Sequence, residues 1–520
     1  MLFNSHEFLF TFLPLVLCLH WALRRNAVAH HAVMVAASAV FYAAWDPRFL
    51  LLLWGSILIN YGSGQAIASF VEGRKRRSAH VLLVGAITVN LAAIGVFKYA
   101  GFFAANLNFL AGTNFDFGTI ILPLGISFFT FEQISYLVDV YNGECRSGPF
   151  LHYAFFVSFF PRLVAGPILR FKEIAPQLAS AAAPPASSDL AVGLTIFFIG
   201  LAKKAIIADG IAGYATSVFT AAASGQHVDF FDAWRGALAY TFQLYFDFSG
   251  YSDMAIGIAR CLGIRFPMNF FSPYKSASIK EFWTRWHMTL SRFLRDYLYI
   301  ALGGNRRGTA RRYLNLMVTM LLGGLWHGAN WTFVIWGGLH GLYLLVNHAW
   351  LAIAANSARL TAARSSRPAH VLGVLMTFVA VVFAWVFFRA PNFATAANMV
   401  GAMLGHNGAS LPAGLAFALH PIAPLLAVVG VGFVDKSGTQ FVTSCLWIAA
   451  LAPIVFFAPS TQEIMARWEP VLPLSGLRIV PPRHLAAWVP SRRWAIAIGI
   501  VAFLAVISTT RVSEFIYWQF

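Results

Sequence analysis

Charge is what this sequence has least of. Asp, Glu, Lys and Arg together make up 11% of its 520 residues, against about 25% in soluble domains. With 59% hydrophobic residues and a mean hydropathy of +0.67, a soluble globular chain is excluded and a polytopic helical membrane protein is indicated. Cysteine is also scarce. Cys18, Cys145, Cys261 and Cys445 lie far apart, which excludes a disulfide framework and a cysteine metal template. There is no Walker-type phosphate loop, no Gly-x-Ser-x-Gly elbow, no His-Glu-x-x-His pair and no Rossmann fingerprint, so nothing points to an ATP-driven pump or a soluble-type hydrolase. No internal repeat is visible. No basic stretch precedes the first apolar run: Glu7 stands there, and Arg24 and Arg25 follow the run. It reads as a retained helix rather than a signal peptide.

What is abundant fits a bilayer. The 49 Phe, 16 Trp and 16 Tyr suit lipid-facing surfaces, tunnel walls and interfacial belts. A net charge of +17 would raise nucleic acid in a soluble protein; here it reads as basic loops on the cytoplasmic side. Apolar segments fall near 7–23, 29–45, 48–70, 79–97, 189–208, 232–246, 313–346, 370–388, 413–433, 440–458 and 494–510. The 313–346 run is long enough for two passes or a broken pair. Segments 120–140 and 155–168 carry Pro123, Gly125, Pro161, Gly166 and Pro167 and read as re-entrant pieces. A crossing helix needs about 20 apolar residues, so the expected fold is all-α, with roughly eleven or more transmembrane and re-entrant elements in a single domain over 1–520. The Arg74–Arg77 cluster, Arg364 and the region 275–312, with nine basic and two acidic residues, are expected on the cytoplasmic side, and both termini outside. Residues 278–298 read as a basic amphipathic helix lying in the interface, with Phe282, Trp286, Leu290 and Phe293 on one stripe and Lys280, His287 and Arg295 on another.

One run stands apart. From Leu314 to Val346 no side chain is acidic or basic except histidine. A titratable group at such depth is by default a functional candidate. His327 sits near the middle, among Gly323, Gly324 and Gly328, which permit a broken helix and close approach of a ligand. Imidazole, with an ordinary pKa of about 6.5, suits a general base. The bland alternative is a histidine bonded between helices for packing. Asn330, one turn on, is placed to orient the ring. His340 reads as structural or tunnel-lining. His287 is the second catalytic candidate. Asp247, Ser249 and Asp253 form another polar group. Their spacing sets the two carboxylates on different helix faces, which argues against a paired acid/base site and for either a tunnel lining or buried ion pairs. Arg162, in an apolar stretch, needs a partner, for which those aspartates are candidates. No metal site is expected.

These stretches resemble the membrane-bound O-acyltransferases. The matching motifs are Leu122-Pro123-Leu124-Gly125-Ile126-Ser127-Phe128, Phe160-Pro161-Arg162 through Gly166-Pro167, Tyr245 to Met254, Phe282 to His287, Arg295 to Ile300, Trp326-His327-Gly328 and the terminal Phe515 to Phe520. They follow the family's order over nearly the whole chain, and the likeness is greatest to the bacterial branch that O-acetylates exopolysaccharide such as alginate or cellulose. Teichoic acid D-alanyl transfer is a more distant resemblance. The resemblance implies a ring of helices around a tunnel, a catalytic core over roughly 118–350, His327 as the catalytic histidine and His287 as a second polar position. It further implies a cytoplasmic thioester donor such as acetyl-CoA, a location in the bacterial inner membrane and a periplasmic partner that modifies the polymer. Two other readings stay open: a transporter or flippase, which would favour inverted repeats, and a D-alanyl-type transferase acting on a cell-wall polymer.

Overall fold

Inside a bilayer a backbone N–H or C=O has no water to bond, so spanning segments close their own hydrogen bonds as helices. The computed structural model of the chain is built this way. It describes residues 1–180, 187–472, 477, 479–482 and 487–509, and the terminal motif 515–520 lies outside the described residues. Among the described residues six helices are long and apolar enough to cross a membrane: Arg48–Glu72, Arg76–Ala111, Ser187–Ala223, Trp331–Ala355, Arg367–Arg389 and Gly438–Phe457. Shorter apolar helices, such as Phe8–Leu23 and Ala27–Ala43, pack among them. The protein is a helical, multi-pass membrane protein.

Its spine is the 32-residue helix Phe230–Cys261, buried along most of its length. It packs against Ser187–Ala223 through glycines on both partners. A Cβ on Gly200 would lie 2.6 Å from the Gly250 carbonyl oxygen, and one on Gly257 2.6 Å from that of Gly193. Small residues at such a seam let backbones approach, which is how helices associate where lipid removes the hydrophobic driving force. The same interface carries two buried ion-pair groups. Lys203 Nζ donates to Asp253 Oδ2 at 2.6 Å, where Thr461 and Gln462 also donate. Lys204 lies 2.7 Å from Asp247 and 2.8 Å from Asp209. The two aspartates thus face consecutive lysines of a π-helical turn, Lys203–Ala208. Arg162 pairs instead with Glu132, both about 1% exposed, and the other Glu132 oxygen accepts from Leu169 N.

Three further expectations change. The all-α architecture holds, but 413–433 is no span. Residues Ala409–Pro412 and Val431–Val434 form a two-stranded parallel ribbon with short helical turns between. Pro421, Pro424 and Gly430 interrupt the run, and apolar content alone does not make it a helix. Segment 278–298 is not one interfacial helix. Ile279–Trp283, Met288–Phe293 and a π-helical turn Leu294–Tyr299 follow one another, and Phe282, Trp286, His287 and Leu290 are all buried. The 79–97 segment runs on unbroken to Ala111 through a π-helical turn at Gly95–Tyr99. Segment 155–168 is broken where its prolines and glycine stand: Phe150–Ser158 ends at Phe159, and a four-residue turn Phe160–Leu163 follows.

Candidate active site

The 313–346 run folds as a hairpin of two antiparallel helices, Thr309–His327 and Trp331–Ala355. A Cβ on Gly324 or Gly337 would strike the backbone of the other limb, so the glycines fix how closely the limbs pack. The first limb ends at His327. Gly328 is extended at φ −172°, and Asn330 caps the second limb. The Asn330 Oδ1 accepts from Thr332 N at 3.0 Å and its Nδ2 donates to Pro391 O at 2.8 Å. Asn330 therefore serves the turn and not the imidazole. The helical spacing that would have put it over His327 fails because the helix has already ended.

The His327 ring lies edge-on to Trp336 and Phe388, each 5.1 Å away between ring centres, and beside Trp326 at 4.9 Å. Trp326 in turn stacks on Phe131, 5.3 Å away. The His287 ring is 6.5 Å from that of His327. The structure thus brings together the two histidines singled out in the sequence, from segments forty residues apart. Both are buried, at 1% and 5% exposure.

His287 is held in an uncommon way. Its φ is +41° and ψ +53°, the left-handed region that costs a side chain of L-configuration roughly 1–2 kcal/mol. Such outliers persist only where the surroundings hold them. Here Phe271 N bonds Arg285 O and Met288 N bonds Asn269 O, both at 2.9 Å, clamping the kink from either side. The Asn269 side chain completes the clamp. Its Oδ1 lies 3.2 Å from His287 Nδ1 and accepts from Thr289 Oγ1 at 2.9 Å, while Nδ2 donates to Ser252 Oγ at 3.1 Å. An amide oxygen facing Nδ1 selects the tautomer protonated there and leaves Nε2 basic. Nothing in the sequence distinguished Asn269 from other lone polar residues.

A cavity of about 100 Å³ adjoins His327. On this measure about 10–15 Å³ suffices for one water, so the space admits several waters or a small acyl group. Its walls include Trp45, Lys98, Ser127, Val164, Trp326 and His327, with the loop 122–126 between. Trp45 precedes the helix Arg48–Glu72, and the Arg74–Arg77 cluster follows it, so the cavity and that basic cluster lie at opposite ends of one span. Lys98 was missed in the sequence, although it is the one charged residue between Arg77 and Asp116. Taking the segment to end at 97 hid it.

The other candidates lie elsewhere. Asp247 and Asp253 sit in the ion-pair groups of the Phe230–Cys261 seam, and Ser249 is buried on that helix without a hydrogen-bond partner among the described residues. Arg162 is with Glu132. His340 is fully buried in an aromatic box. It stacks on Phe282 at 5.9 Å with Trp283 and Trp336 edge-on at 5.1 and 4.9 Å, and neither ring nitrogen has a partner among the described residues.

Comparison with known proteins places this geometry. The profile of the membrane-bound O-acyltransferase family, MBOAT, matches residues 145–390. The probable alginate O-acetylase AlgI of Pseudomonas aeruginosa is 45% identical over 408 residues, 78% of this chain and 75% of the relative. The peptidoglycan O-acetyltransferase of Helicobacter pylori is 42% identical over 445 residues, 79% of this chain and 81% of the relative. The teichoic acid D-alanyltransferase of Streptococcus thermophilus is 30% identical over 285 residues, 51% and 68% of the two chains. With its histidine-tipped hairpin in a helical membrane scaffold, this chain belongs to the membrane-bound O-acyltransferase family.

Proposed function

We propose that the protein moves an acetyl group from a cytoplasmic thioester, acetyl-CoA, through the bacterial inner membrane for O-acetylation of an exopolysaccharide of the alginate class, with His327 as general base. The observation that carries this reading is the position of His327 at the tip of a hairpin that is uncharged from Leu314 to Val346, against a cavity of acyl size, with a second buried imidazole 6.5 Å away. His327 takes the proton of the attacking hydroxyl and returns it to the departing thiol. His287, tautomerically set by Asn269, supports that proton transfer from the side facing the basic 275–312 region. His340, boxed by aromatics on the second limb of the hairpin, lines the route from the donor side. Basic loops at the end opposite the cavity orient that end toward the cytoplasm.

A polymer is too bulky for a buried histidine to reach many of its hydroxyls, whereas an acetyl group passes a narrow route. The last transfer therefore falls to a periplasmic partner that modifies the chain. The relatedness to a peptidoglycan O-acetyltransferase over most of both chains favours a second polymer reading, a glycan of the cell wall, with the same membrane chemistry.

The decisive experiment replaces His327 with Ala and measures polymer acetylation in cells at matched protein level. Loss of a general base typically costs about 10²–10⁴-fold, and activity within about threefold of wild type would sink the assignment. For the relay, protein in liposomes with acetyl-CoA inside and polymer outside should acetylate poorly alone; efficient transfer without another protein makes this chain the terminal transferase.

A further inference from the structure

Lys98 is a charge without a countercharge. Its ammonium donates to Trp326 O at 2.5 Å and lies 3.5 Å from His327 O. Among the described residues it forms no ion pair, and those two carbonyls are its only hydrogen-bond partners. The neighbouring Tyr99 hydroxyl donates to Leu325 O at 2.8 Å. The π-helical turn Gly95–Tyr99 thus presents two consecutive side chains to the end of one helix, and such turns are frequent at functional sites. The end is the C-terminus of Thr309–His327, where the helix dipole is negative and a cation is favoured. That accounts for how the charge is tolerated. It does not account for why a full cation stands there, since an uncharged donor would serve the same carbonyls. The second observation is the cavity: Lys98 and His327 line it together. An ammonium has three N–H donors, and two carbonyls leave one over.

We propose that Lys98 is the group that meets the developing oxyanion in acyl transfer, its ammonium fixed by the Trp326 and His327 carbonyls beside the reacting thioester. The inference rests on His327 acting as general base. His327 takes the proton of the acceptor hydroxyl, and that oxygen bonds to the thioester carbon. The carbonyl π pair moves onto its own oxygen, which becomes the anion that Lys98 holds. Collapse reforms the C=O bond and breaks the C–S bond, and the thiolate leaves with the proton carried by His327. Lys98 keeps its protons throughout; a preset charge at this point lowers the barrier without reorganisation.

Lys98→Gln separates the two roles, because an amide still donates to the carbonyls and lacks the charge. Purified Lys98→Gln, Lys98→Arg and His327→Ala would be compared for release of coenzyme A from acetyl-CoA, with glycerol standing in for the hydroxyl acceptor because a small alcohol can reach the buried site, alongside thermal unfolding in detergent. Lys98→Gln should unfold within a few degrees of wild type yet lose about 10²–10³-fold in kcat, the range for one oxyanion donor, at unchanged KM for both substrates. Lys98→Arg should recover most of that loss. A Lys98→Gln protein with wild-type kcat overturns the proposal and leaves a helix cap. A loss confined to the acceptor KM overturns it too, making Lys98 an acceptor-binding residue. Should Lys98→Gln not fold, Lys98→Arg decides: a folded arginine variant with kcat down more than about 100-fold refutes it. His327→Ala distinguishes the failures. If that variant stays active, the base assignment falls; if it is dead while Lys98→Gln is normal, only the oxyanion role falls.

Discussion

Lys203 and Lys204 begin one π-helical turn and Lys98 lies in another, each within a long apolar span, yet the two regions treat their charge differently. At the Phe230–Cys261 seam, Asp253 receives Lys203 together with Thr461 and Gln462, and Lys204 lies between Asp247 and Asp209. Charges there are closed off in pairs and join helices. At the hairpin tip Lys98 meets, among the described residues, two carbonyls and the face of the Trp326 ring but no carboxylate, and the cation faces a cavity. A buried pair satisfied on every side has nothing left for a ligand, whereas a cation held by neutral dipoles keeps its field. The same local backbone device therefore joins helices in one place and, in the role proposed for Lys98, serves the reaction in the other.

The comparison is sharpest where a pair can be broken. Glu132→Ala should be the most damaging to stability, because it strands Arg162, about 1% exposed, without its countercharge. Removing one member of a buried pair costs about 3–5 kcal/mol. Thermal unfolding in detergent reads this, and a loss below about 1 kcal/mol would show that the pair is not what holds Phe160–Leu163 in place. Next in size is Asn269→Leu, which leaves His287 without its Nδ1 partner. A hydrogen bond of about 1–1.5 kcal/mol translates into roughly a tenfold drop in acyl transfer; unchanged turnover in a folded variant would remove the tautomer argument. Asn330→Ala should show the smallest effect. Loss of a helix N-cap costs about 1 kcal/mol and turnover should stay within about threefold of wild type, since the side chain serves Thr332 and Pro391. A drop comparable to that of His327→Ala would return Asn330 to the catalytic group.

Sequence showed the hairpin and its histidine because the signal there is compositional: thirty-odd residues with no charge, and within them a histidine set among Gly323, Gly324 and Gly328, have few other uses. It also showed His287, but for a reason the structure replaces. The recurrence of Phe282, Trp286, Leu290 and Phe293 looked like one apolar face of an interfacial helix. The left-handed backbone at His287 resets the phase, and both sides of the segment are buried. Lys98 and Asn269 were illegible because each is a single polar residue whose role depends on carbonyls and rings brought from distant segments. Arg162 was rightly seen to need a carboxylate, but which one depends on how the Ile126–Asn142 helix packs beside it, and spacing in the chain does not carry that. Residues 413–433 were read as a span on hydropathy, which measures what a segment tolerates and not the turns its prolines impose.

The hairpin starts at Thr309 and finishes at Ala355 at the same end of the molecule, and its tip is gripped by a neighbouring span through Lys98, Tyr99 and, at Trp331, Asn106. The place of His327 is therefore fixed by that neighbour. Nineteen residues at about 1.5 Å each set it roughly 28 Å along the limb. Helices that cross answer to bilayer thickness by tilting; with the tip tied to the neighbouring span, the hairpin and that span lean together and the histidine keeps its register with the cavity.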